Sequence, residues 1–530
     1  MISIGVDAWA ARPAISVSRA VFGRADAGTA GTPGAFGGPG ERGGRDGPGG
    51  PAAAGGGSAG ARPALLDAAS GRTLSYAGLA TAVGSAAAGL AREGIGPGTV
   101  VGLHLPDSPE FAVALHAVTA AGAVPFPLRA SLSAPELSRL LAEAGARTLV
   151  TWPVLLGTAQ RAAAETLYCF GDEPGAQPFS GLMKGGAAPD VPIEPARDAA
   201  LLACTRGTAG PARPVRLTHA EVVAGLTRVA AAGMLGTSDI VLSALPFSDV
   251  LGLNGALNPA LRLGATVVTL AGTGRHDLLR ALQEHAVTVA LLPPRLVEVL
   301  AYDRAVPRYR LGALRAVVSA GGPLGADAAR ACAARLGCPV RQAYGFAEAA
   351  GFTHLNLRAL EEGTLDSVGR GLPDVTWRVV SARTGCEQPA YQPGELCVRL
   401  PVTPDAAVPA RWLATGDAAF ADEHGRAFVL GRLGDGRPEP PAEPEAVLAA
   451  HPAVRDAAVA PAPDLDLGLA PHAFVVLDEP VPAEDLLGYV NGHVPPYRRV
   501  LAVHVVDLIP RTPGGCVQRR GLLERAGLAT

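Results

Sequence analysis

Residues Leu202–His219 read LACTRGTAGPARPVRLTH, and the interpretation of this stretch decides the fold. It sets a loop rich in glycine and threonine between an expected strand and an expected helix. Backbone N–H groups and hydroxyls in such a loop are suited to phosphate oxygens. Taken by itself, Gly207–Thr208–Ala209–Gly210 fits a generic turn as well as a phosphate cradle. The rest of the chain is needed to separate the two.

Upstream, ALLDAASGRTLSY reads as two short strands around a glycine turn. YAGLATAVGSAAAGLAREGI has the apolar spacing of an amphipathic helix, closed by Gly94 and Gly96–Pro97. TVVGLHLP, a helix beginning at Ser108–Pro109, and VPFPL continue an alternation of strand and helix. Downstream it persists through ATVVTL, HDLLRALQEHAVTVALLPP and LRAVVSAGG. Such alternation implies an α/β protein with largely parallel sheets. After about Pro373 the texture turns β-rich, and beyond Asp435 a Pro- and charge-rich run leads into helix–strand units. The expected division is therefore 63–434 for a large domain and 435–530 for a small α+β one. Residues 1–62 form an N-terminal segment whose Gly/Ala/Pro-rich part, 25–62, has too little apolar surface to offset chain entropy and reads as flexible.

Composition excludes several classes. A net charge of −3 over 530 residues leaves no electrostatic footprint for nucleic acid. The seven cysteines are scattered singly, without the spacing of a disulfide framework or a zinc site. No run of roughly 18 apolar residues would span a bilayer. Asp7, Arg12 and Arg19 interrupt the N-terminus, so no signal peptide is expected and the location implied is cytoplasmic. Lys184 is the only lysine, arginine supplying every other basic side chain except histidine.

Further segments follow the glycine/threonine loop in order: LPFSDVLG (245–252), SAGGPL (319–324), QAYGFAE (342–348), GELCVR (394–399), WLATGD (412–417), GRLGD (431–435) and RTPGGCVQRR (511–520). Together with the loop they resemble the motif series of the adenylate-forming superfamily, of the acyl-CoA synthetase type. The resemblance spans roughly Pro63 to Leu522. It implies a large domain of parallel-rich sheets with helices plus a small β-barrel-like part, and a small mobile C-terminal domain.

The resemblance also implies roles. Thr208 with the Gly207 and Gly210 backbone would hold the β- and γ-phosphates of ATP, and Arg213 would supply a cation there. Tyr344 would flank adenine, with Gly321, Gly322 and Gly345 permitting close approach. Glu348 would hold Mg²⁺, a hard cation suited to a carboxylate. Asp417 would accept the ribose hydroxyls, Arg432 would bond ribose or α-phosphate, and Asp435 would mark the hinge. Asp249 stands where acyl-CoA synthetases carry histidine, which suits either an amino-acid substrate or an ordinary loop aspartate.

Several positions depart from the family pattern. Arg206 replaces a small serine, Ala209 a threonine and Ala347 a hydroxyl-bearing threonine. Cys516 occupies the position of the lysine that reaches the reacting carboxylate, and a thiol carries no cation at neutral pH. Only Gly436–Pro440 separates Asp435 from Pro441, which shortens the hairpin used for thioester formation. Two readings follow. One is an AMP-forming ligase that passes a carboxylate to a thiol or amine, with CoA, a carrier-protein pantetheine or an amine as acceptor and a weakened second half-reaction. The other is a pseudo-ligase that binds nucleotide, acyl ligand or a protein partner without turnover.

Overall fold

The computed structural model describes residues 16–22, 61–205, 212–272, 274–357, 365–381, 384–401, 412–433, 442–464, 468–494, 499–510 and 519–528. The flexible reading of 25–60 and the expected roles of Arg206–Gly210, Asp435 and Cys516 lie outside these residues, as does the side chain of Arg432.

Two large sheets carry the chain to about residue 371. One has nine strands, in the order Arg370–Gly371, Gly351–Leu355, Val340–Phe346, Ala316–Ala320, Val289–Leu292, Ile240–Ser243, Thr266–Thr269, Pro63–Asp67 and Thr73–Ser75. Its central neighbours, from Pro63–Asp67 across to Val340–Phe346, pair in parallel, and only the edges are antiparallel. The other has five parallel strands, ordered Val124–Leu128, Val100–His104, Thr148–Thr151, Thr166–Cys169 and Gln177–Pro178. Buried strand Val289–Leu292 is a continuous apolar run and Ala316–Ala320 is apolar except for Ser319, as expected of parallel sheets covered on both faces. The α/β class read from the sequence is the class observed.

Helix Pro109–Ala120 is buried on every side from Pro109 to Thr119, so it lies inside the core. Ser108 caps it, accepting from Phe111 N–H. Helix Tyr76–Arg92 packs beside it and passes so close to Leu182 that a Cβ on Gly89 would stand 2.1 Å from that residue's carbonyl oxygen. The short helix Val17–Phe22 also enters this core, burying Val17 and Val21. Sequence reasoning had set these residues apart with the N-terminal segment. One and a half turns are too few to show a helical period, yet a buried apolar pair is enough to dock them.

A four-stranded antiparallel sheet follows, ordered Thr376–Val380, Gly394–Arg399, Trp412–Ala421 and Ala427–Arg432. The C-terminal part folds around its own core of Leu448, Val459, Val475, Leu486 and Val490. Its sheet is a long hairpin, Val454–Asp464 with Gly468–Leu477, joined in parallel by Ala502–Val505. Among the described residues, no helix is long and apolar enough to cross a membrane.

Candidate active site

Parallel pairing places the loops that follow Ile240–Ser243, Ala316–Ala320 and Val340–Phe346 at one carboxyl edge of the nine-stranded sheet. Open α/β sheets bind ligands at that edge. Three of the expected segments therefore converge there: Leu245–Gly252, Ser319–Leu324 and Gln342–Glu348.

Gln342 fixes two of them to each other. Its Oε1 accepts from Leu324 N–H at 3.1 Å, and its Nε2 donates to the carbonyls of Leu324 at 2.9 Å and Leu365 at 2.7 Å. The loop with Gly321, whose φ of +93° favours glycine, is thereby tied to the strand bearing Tyr344. Sequence reasoning passed over Gln342, although it heads the quoted motif. A buried amide in a strand was the available signal, because buried polar groups must be paired.

Tyr344 reaches out of this sheet, and its hydroxyl donates to Asp417 Oδ2 at 2.5 Å. A side chain of the nine-stranded sheet thus meets one of the four-stranded sheet. Asp417 is aimed by a local irregularity. Gly416 sits at φ +70°, its N–H donates to Glu395 Oε1, and Asp417 N–H donates to Thr415 Oγ1. The register slips between Ala418 and Ala419, the kind of bulge that redirects a side chain. Arg432 is the backbone partner directly opposite Asp417. His354 stands edge-on between Tyr344 and Trp377, at ring-centre distances of 6.0 and 5.1 Å. Burial pushes its pKa down to about 3, so it is a neutral aromatic support.

Glu348 lies in the turn Ala347–Ala349. Ala347, Ala349 and Ala350 are buried while Glu348 is exposed, so the turn presents this carboxylate outward. Among the described residues, no group of three or more His, Cys, Asp or Glu side chains could hold a metal unaided. A single outward carboxylate fits Mg²⁺ that arrives with substrate phosphates and keeps several waters.

Three expectations gain a different physical account. Gly345 makes room for the irregularity where Val340–Phe346 pairs with Gly351–Leu355: a Cβ there would stand 2.2 Å from the Gly351 carbonyl oxygen and 2.8 Å from Phe352 Cα. Asp249 caps the turn Val250–Gly252, its Oδ1 accepting from Leu251 N–H at 3.0 Å. Residues 206–211 connect two strands and not a strand to a helix, since Ala199–Cys204 pairs with Pro214–Thr218. Pro214 and the extended Val215–Thr218 keep the chain in the sheet, and the capping box of Thr218 and Glu221 delays the helix to His219. At the neck, Thr205 N–H donates to the Arg213 carbonyl at 2.9 Å, and Arg213 N–H to Thr205 Oγ1 at 3.0 Å. The Arg213 side chain is exposed. In the segment Leu245–Gly252, Phe247 N–H donates to Asp107 Oδ1, and burial pushes the Asp107 pKa up to about 7.

The fold is that of the adenylate-forming superfamily. The chain belongs to the family of AMP-binding enzymes: the AMP-binding enzyme model matches residues 55–403, and the model of the AMP-binding enzyme C-terminal domain matches 443–515. Among individual proteins, 4-coumarate–CoA ligase 5 of Oryza sativa subsp. japonica is 32% identical over 499 residues, covering 88% of this chain and 92% of the relative. ATP-bound MatB from Rhodopseudomonas palustris superposes with a TM-score of 0.67 at 25% identity, over 88% of this chain and 96% of that one. The amide bond synthetase McbA from Marinactinospora thermotolerans gives 0.63 at 25% identity, over 88% and 97%.

Proposed function

We propose that the protein is an AMP-forming acid ligase that activates a small carboxylate with ATP and passes the acyl group to a thiol or an amine. The observation that carries this reading is the Tyr344–Asp417 hydrogen bond at the carboxyl edge, with Arg432 directly opposite Asp417. Asp417 would accept the ribose hydroxyls and Tyr344 would flank adenine. Glu348 would hold Mg²⁺, which draws charge from the phosphates. Arg432 would bond ribose or α-phosphate, and Thr208, Gly207 and Gly210 would cradle the β- and γ-phosphates with Arg213 nearby. The carboxylate oxygen then attacks the α-phosphorus and pyrophosphate leaves, giving an acyl-adenylate. That transition state concentrates negative charge, so its rate depends on donors and cations already in place. With Cys516 at the lysine position one such cation is missing, a loss worth roughly 10² to 10³ in rate.

A 4-coumarate–CoA ligase and an amide bond synthetase among the relatives favour an aryl acid as substrate, with coenzyme A or an amine as acceptor. Asp249, engaged as a cap, gives less support to an amino-acid substrate than its sequence position did. The rival reading, a nucleotide-binding protein without turnover, is favoured by Arg206, Ala347 and Cys516.

ATP–pyrophosphate exchange over aryl, fatty and amino acids separates the readings, with Asp417→Ala as the inactive control. Exchange with an aryl acid that disappears in Asp417→Ala is the expected outcome. ATP binding without exchange for any acid leaves the non-catalytic reading. Cys516→Lys is expected to raise the exchange rate at least tenfold if the missing cation limits adenylation.

A further inference from the structure

The turn behind Glu348 is gripped from two sides. From helix His219–Ala231, Arg228 Nη2 donates to the Ala349 carbonyl at 2.8 Å. From the π-helical turn Leu253–Leu257, Asn254 Nδ2 donates to the Ala350 carbonyl at 2.9 Å. These are consecutive carbonyls, immediately after the outward carboxylate. Asn254 is in turn held by Asn258, whose Nδ2 donates to Asn254 Oδ1 at 3.0 Å. Arg228, Asn254 and Asn258 are all buried.

The backbone geometry shows what the grip accomplishes. Ala350 adopts φ +58°, a left-handed conformation that a residue with a Cβ seldom takes without support. Helix His219–Ala231 comes so close that a Cβ on Gly225 would stand 2.8 Å from the Ala350 carbonyl oxygen. The π-turn is itself an uncommon conformation, and here it supplies Asn254. Arg228 is the costlier partner: burial pushes its pKa down to about 10, and its Nε has no partner among the described residues. This buried cation loses to desolvation much of what it gains from its carbonyl bond and from the Asp374 carboxylate. Its evident product is the fixed turn.

We propose that Arg228 and Asn254 are positioning residues that lock the Ala349–Ala350 turn and thereby aim Glu348 at the metal bound with ATP. This inference rests on the reading of Glu348 as the Mg²⁺ carboxylate. Groups that orient a metal ligand from behind commonly carry a 10- to 100-fold effect on affinity.

Two measurements test it. The first needs no ligand: amide hydrogen exchange over 347–351 in the full chain is expected to accelerate at least tenfold in Asn254→Ala and Arg228→Met, with Arg228→Lys close to wild type. Unchanged exchange in both truncations overturns the lock. The second is calorimetric titration of ATP with Mg²⁺ and with EDTA. Asn254→Ala and Arg228→Met are expected to weaken binding about tenfold with Mg²⁺ and less than twofold with EDTA. Combined with Glu348→Gln, they should add no further loss. Equal weakening in both media, or losses that add to that of Glu348→Gln, reduces the two residues to ordinary core and overturns the proposal. Mg²⁺-dependent binding unaltered by Glu348→Gln overturns the metal reading of Glu348, and the aiming role falls with it while the exchange result stands. A variant whose melting curve shows it unfolded is replaced by Asn254→Ser or Arg228→Gln in both assays.

Discussion

The Tyr344 hydroxyl donates to Asp417 Oδ2, the group proposed to accept the ribose hydroxyls. A ribose arriving there would share or replace that bond. Tyr344→Phe keeps the ring and removes the donor. Its urea unfolding is expected to show a loss of about 1 kcal/mol, the ordinary worth of a half-exposed bond to a carboxylate. ATP affinity should stay level or rise, because ribose no longer competes with the phenol. A tenfold loss of affinity would instead place the hydroxyl on the nucleotide. At this scale the sequence singles out side chains that sit in a recurring motif, such as Tyr344, Glu348 and Asp417. It was silent on Arg228, which resembles any solvated helix cation until burial is known. It was equally silent on Asn254, an amide among apolar neighbours.

Among elements, the irregular antiparallel pairing of Val340–Phe346 with Gly351–Leu355 depends on the absent side chain of Gly345. Gly345→Ala would drive a Cβ into the backbone of the neighbouring strand, 2.2 Å from a carbonyl oxygen. Overpacking of this kind costs about 1–3 kcal/mol. Thermal melting is the check, with Gly312→Ala as comparison, since a Cβ there meets nothing within 4 Å. The comparison variant is expected to stay within about 0.5 kcal/mol of wild type. An equal effect of both would show that close approach at Gly345 is not what sets its identity. Strands and helices were legible because buried parallel strands are apolar runs and the helices between them carry clear caps. The hairpin Val454–Leu477 was not resolved as such, because AAVAPAPD and GLAPHAF mix proline and alanine without a two-residue alternation. The hairpin form of 199–218 was hidden for a related reason: Pro214–Thr218, PVRLT, sets proline, arginine and threonine around only two apolar residues.

The whole molecule carries a pH signature through buried histidines. Burial pushes the pKa values of His354, His116 and His219 down to about 3, 4 and 4, against an ordinary value of 6.5. Below 6.5 the unfolded chain takes up protons that the fold refuses. Stability from these groups is therefore complete above 6.5 and declines as pH falls toward the depressed values. Asp107 acts in the opposite sense. With its folded value raised to about 7 from 3.8, its contribution is present below 3.8 and is lost as pH rises through 7. The histidines outnumber it, so the protein is expected to lose stability on acidification from pH 7 to about 5. His354→Phe should flatten that decline by about 1.4 kcal/mol per pH unit, one proton's worth. Urea unfolding at several pH values reads the slope, and an unaltered slope would show that His354 is protonated in the fold.

The closed neck at Thr205 and Arg213 has a practical consequence for engineering. The paired strands Ala199–Cys204 and Pro214–Thr218 join at a seam formed by backbone groups and the Thr205 hydroxyl. That makes the six intervening residues an exchangeable cassette. A chimera could receive the corresponding stretch of an active relative between two unaltered ends. The frame would keep its register, and any recovered chemistry could be credited to the graft.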